Sequence, residues 1–390
     1  MIAPEGTLLV LLVILSVGLI IPEFFKRFKV PFVSTIILLG AILGPHLLNY
    51  VQLNETVEFL GFLGMMFLML IAGLETNINE IRHEKKKIFV MAFLNGLIPF
   101  LVGFAITFMF NYSFLTSLLV GVVFISSSVA IIVPTLRDAN LFHKKIGQLI
   151  LSAVLVTDII SLVALGIILQ TANPISQLPL PLHFMVLILS IFVMLYFLPK
   201  ISKYALRKRF SRQKGHERQL RFVIIVVIGV LIYFSSLGVH PILAAFLVGL
   251  IFSSVIQDKQ RREILYTKLH TIGYGLFIPV FFFIIGMEID LGLLGQLDIK
   301  NVFMLALILG LILAKFISAM IAGKLVKLNK KDSMIFGSVS TVQLTTTLAT
   351  VYAASSIGLI DSVIVTSIVL LSIITTLIGP WFVNIIAKEK

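Results

Sequence analysis

Residues 147–169 read GQLILSAVLVTDIISLVALGIIL. The run is apolar over the ~20 residues a helix needs to cross a hydrocarbon layer, yet Asp158 stands at its centre. A charge at mid-helix costs about 2.5–3.5 kcal/mol on insertion scales, so a chain that keeps one gives it a partner or a wet cavity. A carboxylate moved from water into oil also holds its proton more tightly. A cation that binds such a group must compete with that proton. One buried site that holds either H⁺ or a cation, and moves only when filled, is sufficient for exchange.

The rest of the chain agrees with a membrane reading. Of its 390 residues, 59% are hydrophobic and only 13% are charged, where soluble domains carry about 25%. Mean hydropathy is +1.10. Apolar windows predict an all-α polytopic membrane protein of about thirteen transmembrane helices, near 7–25, 31–48, 57–75, 88–110, 113–136, 146–169, 183–199, 220–236, 240–256, 270–287, 301–323, 334–357 and 362–386. The first lacks a preceding basic stretch and is expected to be a retained helix. The longest polar stretch, 200–221, is too short for a nucleotide-binding domain, and neither a P-loop nor a GxGxxG fingerprint is present. Cysteine is absent, which excludes disulfides and thiolate chemistry. An enzyme is not expected, and neither is a cofactor.

The net charge of +13 sits between spans and needs no nucleic acid to explain it. With thirteen alternating spans, every Lys and Arg except Lys300 and Lys315 falls on one side. The positive-inside rule then places the N-terminus outside and the C-terminus in the cytoplasm of the cell membrane.

The two halves resemble each other. IAGLETNI (71–78) matches IIGMEIDL (284–291), and Pro31 before a Gly-rich span matches Pro241 before AAFLVGLIF. Ser126–Ser128 in span 5 correspond to the polar run 341–347 in span 12. Span 3 runs inward and span 10 outward, so the repeat is inverted: 1–182 is the first copy, 183–219 a linking span 7 with a cytoplasmic loop, and 220–390 the second copy. Inverted repeats mark secondary carriers, whose sites lie at mid-membrane beside broken helices.

Lys315, in LALILGLILAKFISAMIAG of span 11, is the second charge near the middle of a span. It reads as an ion-pair partner for Asp158, a second proton carrier, or a structural charge that neutralises carbonyl ends of a broken helix. Thr157 offers a hard oxygen beside Asp158. Ser127, Ser128, Thr345 and Thr346 offer hydroxyls, and unwound backbone there would add carbonyls and opposed helix dipoles. Pro134 removes a donor in span 5 and loosens the turn before it. Glu75 and Glu288, at span ends on opposite sides, read as end-capping or gating contacts, as do Glu23 and Asn95 with lower weight.

These segments together resemble the monovalent cation:proton antiporters of the CPA2 type. The resemblance is carried by LLGAILGP (38–45), FLMLIAGLE (67–75), SSSVAIIVPTL (126–136), ILSAVLVTD (150–158), VHPILAAFLVGLIFSS (239–254), FIPVFFFIIGMEIDL (277–291) and LILAKFISA (311–319). It implies exchange of Na⁺ or K⁺ for H⁺ by an elevator movement. It further implies a homodimer with crossed broken helices in spans 5 and 12. A core of spans 4–6 and 11–13, flanked by 3 and 10, would move against a dimerisation scaffold made by the others. Asp158 falls on the ion-binding aspartate and Lys315 on the basic residue of the core. Thr157 stands where relatives carry Asp, Asn or Gln, and a lone carboxylate favours electroneutral exchange. A glutamate of span 12 in many relatives is replaced near Gln343, which leaves Gln343 as a gating or core contact. No cytoplasmic nucleotide-sensing domain is attached, which leaves room for a separate soluble regulatory subunit. The rival readings are a passive cation channel and an organic-anion symporter on a related fold.

Overall fold

The computed structural model describes residues 4–25, 32–75, 84–142, 144–173, 216–237, 241–256, 259–290, 292 and 299–388, with scattered positions between 182 and 201. Its elements are helical: α1 (Pro4–Phe25), α2 (Phe32–Leu43), α3 (Glu55–Glu75), α4 (Lys85–Met109), α5 (Phe114–Ile125), α6 (Val129–Asp138), α7 (Lys145–Ala172), α8 (His216–Ser236), α9 (Pro241–Val255), α10 (Lys259–Ile272), α11 (Ile278–Met287), α12 (Ile299–Leu325), α13 (Lys330–Ser340), α14 (Thr345–Ser356) and α15 (Ser362–Lys388). A π-helical turn, Gly273–Phe277, joins α10 to α11.

Among the described residues nine helical segments are long and apolar enough to cross a membrane, against thirteen expected spans. The other four expected spans fall on shorter apolar stretches at Val10–Ile20, Phe32–Leu43, Phe192–Ile201 and Pro241–Val255. Parts of the linking span 7 and most of the loop 200–221 lie outside the described residues, as does the side chain of Glu23.

Polar side chains start several helices. Asn54 Oδ1 accepts from Val57 N–H at 2.9 Å, Ser113 Oγ from Thr116 N–H at 3.1 Å, Asn329 Oδ1 from Asp332 N–H at 2.6 Å and Asp361 Oδ1 from Ile364 N–H at 2.9 Å. Each satisfies one of the amides that a helix leaves unpaired at its start. This matters more beside a membrane, where water does not reach every end.

The chain divides into two units: residues 1–61, 80–168 and 279–390, and residues 62–79 and 169–278. The first holds α4–α6, most of α7 and α12–α15. In it α4 packs against both α5 and α12. Ile88, Met91, Ile132, Leu136, Ile150, Val154, Phe336 and Val339 form a shared apolar core between α4, α6, α7 and α13.

A pair of glycine crossings repeats the matched motifs. In the first unit α2 meets α11: a Cβ on Gly40 would lie 2.1 Å from the Phe283 carbonyl, and one on Gly286 would lie 2.0 Å from the Ile37 carbonyl. In the second unit α3 meets α9 the same way, with Gly73 against the Phe246 carbonyl and Gly249 against the Leu70 carbonyl, both 2.2 Å. Only a residue without Cβ permits backbones to approach this closely. Gly73 and Gly286 hold the same place in IAGLE and IIGME, so the two matched motifs make matching close crossings.

Candidate functional site

Expected spans 5 and 12 are each interrupted. Between α5 and α6, Ser126 and Ser128 are extended. Between α13 and α14, Thr341–Leu344 leave the helix. The interruption lies at 126–128, well before Pro134, and α6 runs through that proline without stopping. The partner segment satisfies the opened backbone. Ser128 N–H donates to the Val342 carbonyl at 2.8 Å, and Ser127 Oγ donates to the Ser340 carbonyl at 2.7 Å. Gln343 Nε2 donates to the Ser126 carbonyl at 2.7 Å, while its Oε1 accepts from Ser126 Oγ at 3.2 Å and from Thr347 Oγ. Gln343 N–H donates to Thr375 Oγ1 on α15 at 3.2 Å. Unwound backbone inside a membrane is tolerated only where protein satisfies it; here each broken helix satisfies the other.

Asp158 projects from α7 onto this crossing. It is 4% exposed, and its Oδ1 accepts from Ser127 N–H at 3.2 Å. Among the described residues its Oδ2 accepts no hydrogen bond. Next to Ser127, the hydroxyl of Ser128 is buried and has no hydrogen-bond partner. Thr345 and Thr346, the first residues of α14, are buried too, and neither hydroxyl donates to a described residue. Thr157 is committed elsewhere: Oγ1 donates to the Val154 carbonyl at 2.8 Å, and its methyl faces Gly96 of α4. Its oxygen lone pairs remain. The crossing thus holds one carboxylate oxygen and several hydroxyls that the protein does not use. No group of three or more His, Asp or Glu gathers anywhere among the described residues, so an ion here would be held by one carboxylate with hydroxyl and carbonyl oxygens. That is ligand chemistry suited to a hard alkali cation.

Lys315, on α12, is fully buried and forms no ion pair with Asp158 within 4 Å. Its Nζ donates to the Ile125 carbonyl at 2.8 Å and the Ser126 carbonyl at 3.2 Å, which are the carbonyl end of α5. It also reaches Ser127 Oγ at 3.2 Å, and the backbone carbonyl and Oδ1 of Asn95, both 3.3 Å. A cation at a helix C-terminus meets the negative end of the helix dipole. Of the three sequence readings for Lys315, its contacts match the charge on a broken helix end.

Glu75, in the second unit, accepts from Tyr266 Oη at 2.7 Å. Glu288 follows α11, and its backbone N–H donates to the Ile284 carbonyl at 3.3 Å. Asn95 carried little weight in sequence, yet it touches Lys315 directly. Its signal was visible as one amide in the apolar run MAFLNGLIPF (91–100). Ser318, Ser340 and Thr375 had no such signal, since a single Ser or Thr in an apolar helix is commonplace packing.

Residues 11–389 match the family described as "Sodium/hydrogen exchanger, transmembrane". A protein of Methanocaldococcus jannaschii called probable Na⁺/H⁺ antiporter 3 is 31% identical over 386 residues, covering 99% of this chain and 98% of that protein. The K⁺/H⁺ antiporter subunit KhtU of Bacillus subtilis is 30% identical over 349 residues, covering 85% of this chain and 80% of its own length. A solved structure of the sodium proton antiporter MjNhaP1 from Methanocaldococcus jannaschii, at pH 8, superposes with a TM-score of 0.78, covering 97% of each chain. At 17% identity that likeness speaks for the fold alone.

Proposed function

The chain belongs to the sodium/hydrogen exchanger family, a family of multi-pass membrane transporters and not of enzymes, and we propose that it is a secondary active antiporter that moves Na⁺ or K⁺ out of the cytoplasm in exchange for external H⁺. Asp158 binds cation and proton in turn. Both cannot occupy the carboxylate together, and the proton gradient drives the cation step. Ser128, Ser127, Thr157, Thr345 and Thr346 complete the cation's oxygen shell.

One observation carries this reading. The mid-membrane carboxylate meets the interrupted helix at Ser127, and the neighbouring Ser128 hydroxyl is buried without a partner. Leaving a buried hydroxyl unsatisfied costs about 1–3 kcal/mol. A cation that takes its lone pair offsets that cost. An organic-anion symporter would need a free positive group, and Lys315 is already surrounded by protein acceptors. A channel would need a continuous polar path, and the apolar helix cores on either side of the crossing argue for a moving, occluded site.

In the finer reading, spans 4–6 and 11–13 form the core, which moves elevator-fashion, with spans 3 and 10 flanking and the remaining spans as dimerisation scaffold. Helices α4–α6 and α12–α15 fall in one compact unit, together with α1, α2 and most of α11, which this reading gives to the scaffold and the flank. The protein acts as a homodimer in the cell membrane, N-terminus outside, and a separate soluble subunit regulates it. The relative KhtU, itself a subunit, favours that last part.

The test is flux in proteoliposomes with a ΔpH dye and a series of Na⁺, K⁺, Li⁺ and NH₄⁺ salts, with and without a valinomycin clamp. Asp158→Asn is expected to abolish cation-dependent proton movement in folded protein. Full exchange by that variant would defeat the assignment.

A further inference from the structure

The proton positions around Lys315 can be deduced from what each neighbour has already committed. Ser318 Oγ donates its proton to the Lys315 carbonyl at 2.9 Å, and Ser340 Oγ donates to the Gly337 carbonyl at 3.0 Å. Both serines can therefore only accept from elsewhere. Asn95 Nδ2 lies 2.9 Å from Ser318 Oγ and 3.2 Å from Ser340 Oγ, so the amide nitrogen must face them. This fixes the amide's orientation and turns Oδ1 toward Lys315 Nζ. A flipped amide would set NH₂ against an ammonium and leave two buried serine lone pairs without donors.

The same accounting applies to Lys315. The Ser127 hydroxyl proton is committed to the Ser340 carbonyl, so Ser127 Oγ also can only accept. The groups facing Nζ are then the Asn95, Ile125 and Ser126 carbonyls, Asn95 Oδ1 and Ser127 Oγ. Every one is an acceptor. An ammonium with three N–H donors fits this shell. A neutral amine would turn its lone pair toward oxygen and find no donor.

We propose that Asn95 is a positioning residue of the transport cycle: it holds Lys315 as a permanent cation on the carbonyl end of α5, which leaves Asp158 as the one group at the crossing that takes up and releases a proton. The inference rests on the exchange reading above. Asn95 reaches α12 through Lys315 and Ser318, and α13 through Ser340, whose carbonyl holds Ser127. It thereby ties the fixed charge to the backbone turn that meets Asp158. Among the described residues the only charged groups that face each other here are Asp158 from α7 and Lys315 from α12. The other groups at the crossing are uncharged: the amides of Asn95 and Gln343, and the hydroxyls or carbonyls of Ser126, Ser127, Ser128, Ser340, Thr345 and Thr346.

Full-length protein and its Asn95→Ala, Asn95→Asp and Ser318→Ala variants would be reconstituted, and exchange measured against pH, with thermal stability in detergent measured beside it. A nearby ammonium favours an ionised carboxylate. Releasing Lys315 (Asn95→Ala) or cancelling its charge with a second carboxylate (Asn95→Asp) makes Asp158 keep its proton to higher pH. Both profiles are expected to move alkaline by half a pH unit or more, with at least a tenfold slower rate at the wild-type optimum. Ser318→Ala loosens the amide at one anchor and gives a smaller shift of the same sign. Wild-type rates are expected not to respond to an imposed membrane potential, because one proton crosses for each monovalent cation. Unchanged pH profiles in the variants that fold, with only stability lost, would overturn the positioning role. Potential-dependent exchange by the wild type would overturn the fixed charge. No cation-dependent exchange by the wild type would instead remove the exchange reading itself, and this inference with it.

Discussion

Ser128 donates its backbone N–H to the Val342 carbonyl at 2.8 Å, a bond that passes between two interrupted helices and depends on neither side chain. The crossing therefore survives side-chain changes at Ser128, while the Ser128 hydroxyl contributes nothing to the resting fold. On the proposed exchange reading, function and stability separate at this residue. Ser128→Ala is expected to leave thermal stability unchanged or raise it by about 1 kcal/mol, since it deletes an orphaned buried hydroxyl. The same change should raise the cation concentration for half-maximal exchange several-fold, read by the ΔpH assay.

Gln343 offers the opposite case. Its amide serves three partners, the Ser126 carbonyl and the Ser126 and Thr347 hydroxyls. Gln343→Leu keeps the volume roughly and strands those groups in a buried site. Each buried polar group left unpaired costs about 1–3 kcal/mol. A loss of more than about 2 kcal/mol is expected in detergent unfolding, together with reduced exchange.

The glycine crossings predict a steric effect in both halves. Gly286→Ala and Gly73→Ala each put a methyl about where a carbonyl oxygen already lies. Overpacking of this kind costs about 1–3 kcal/mol, or more where backbone must move. Gly229, in α8, meets nothing within 4 Å. Gly229→Ala there should gain about 0.5–1 kcal/mol from helix propensity. Thermal melts of the three variants give the comparison; equal melts for all three would remove the close-packed crossings.

At the membrane edge, Glu84 joins the start of α4 to the start of α7. It pairs with Lys145 and, at 2.8 Å, with Lys87. The Lys145 hydrogen bond, followed by that from Lys87, holds the Glu84 carboxyl below its ordinary value of 4.5. A lowered folded-state value means the stabilisation is present above pH 4.5 and is lost as pH falls through the lower native value. Wild type and Glu84→Gln should therefore differ in melting temperature at neutral pH and converge in acid. The gap should also shrink in high salt, because the pair is exposed.

Much of this protein was legible along the chain. Apolar windows placed the helices, because a membrane demands ~20 apolar residues for each crossing wherever it occurs. Asp158 and Lys315 stood out because a mid-span charge is costly. IAGLE and IIGME match along the chain, and their glycines, Gly73 and Gly286, make matching close contacts. The helix opens at the serines, where a second broken helix supplies partners, and Pro134 lies inside α6.

Read along the chain alone, the residues settle local matters: which segments prefer oil, and which two charges must be accommodated there. How those charges are accommodated is a property of the folded arrangement. It put Lys315 on carbonyls instead of on Asp158, spent the Thr157 and Ser127 protons on backbone, left the Ser128 hydroxyl unspent, and brought Asn95 to Lys315. The physical reason is range. Burial preference belongs to each segment alone, whereas a hydrogen bond belongs to two groups, and here those groups come from α4, α5, α7, α12 and α13, far apart in the chain and adjacent only where the broken helices cross.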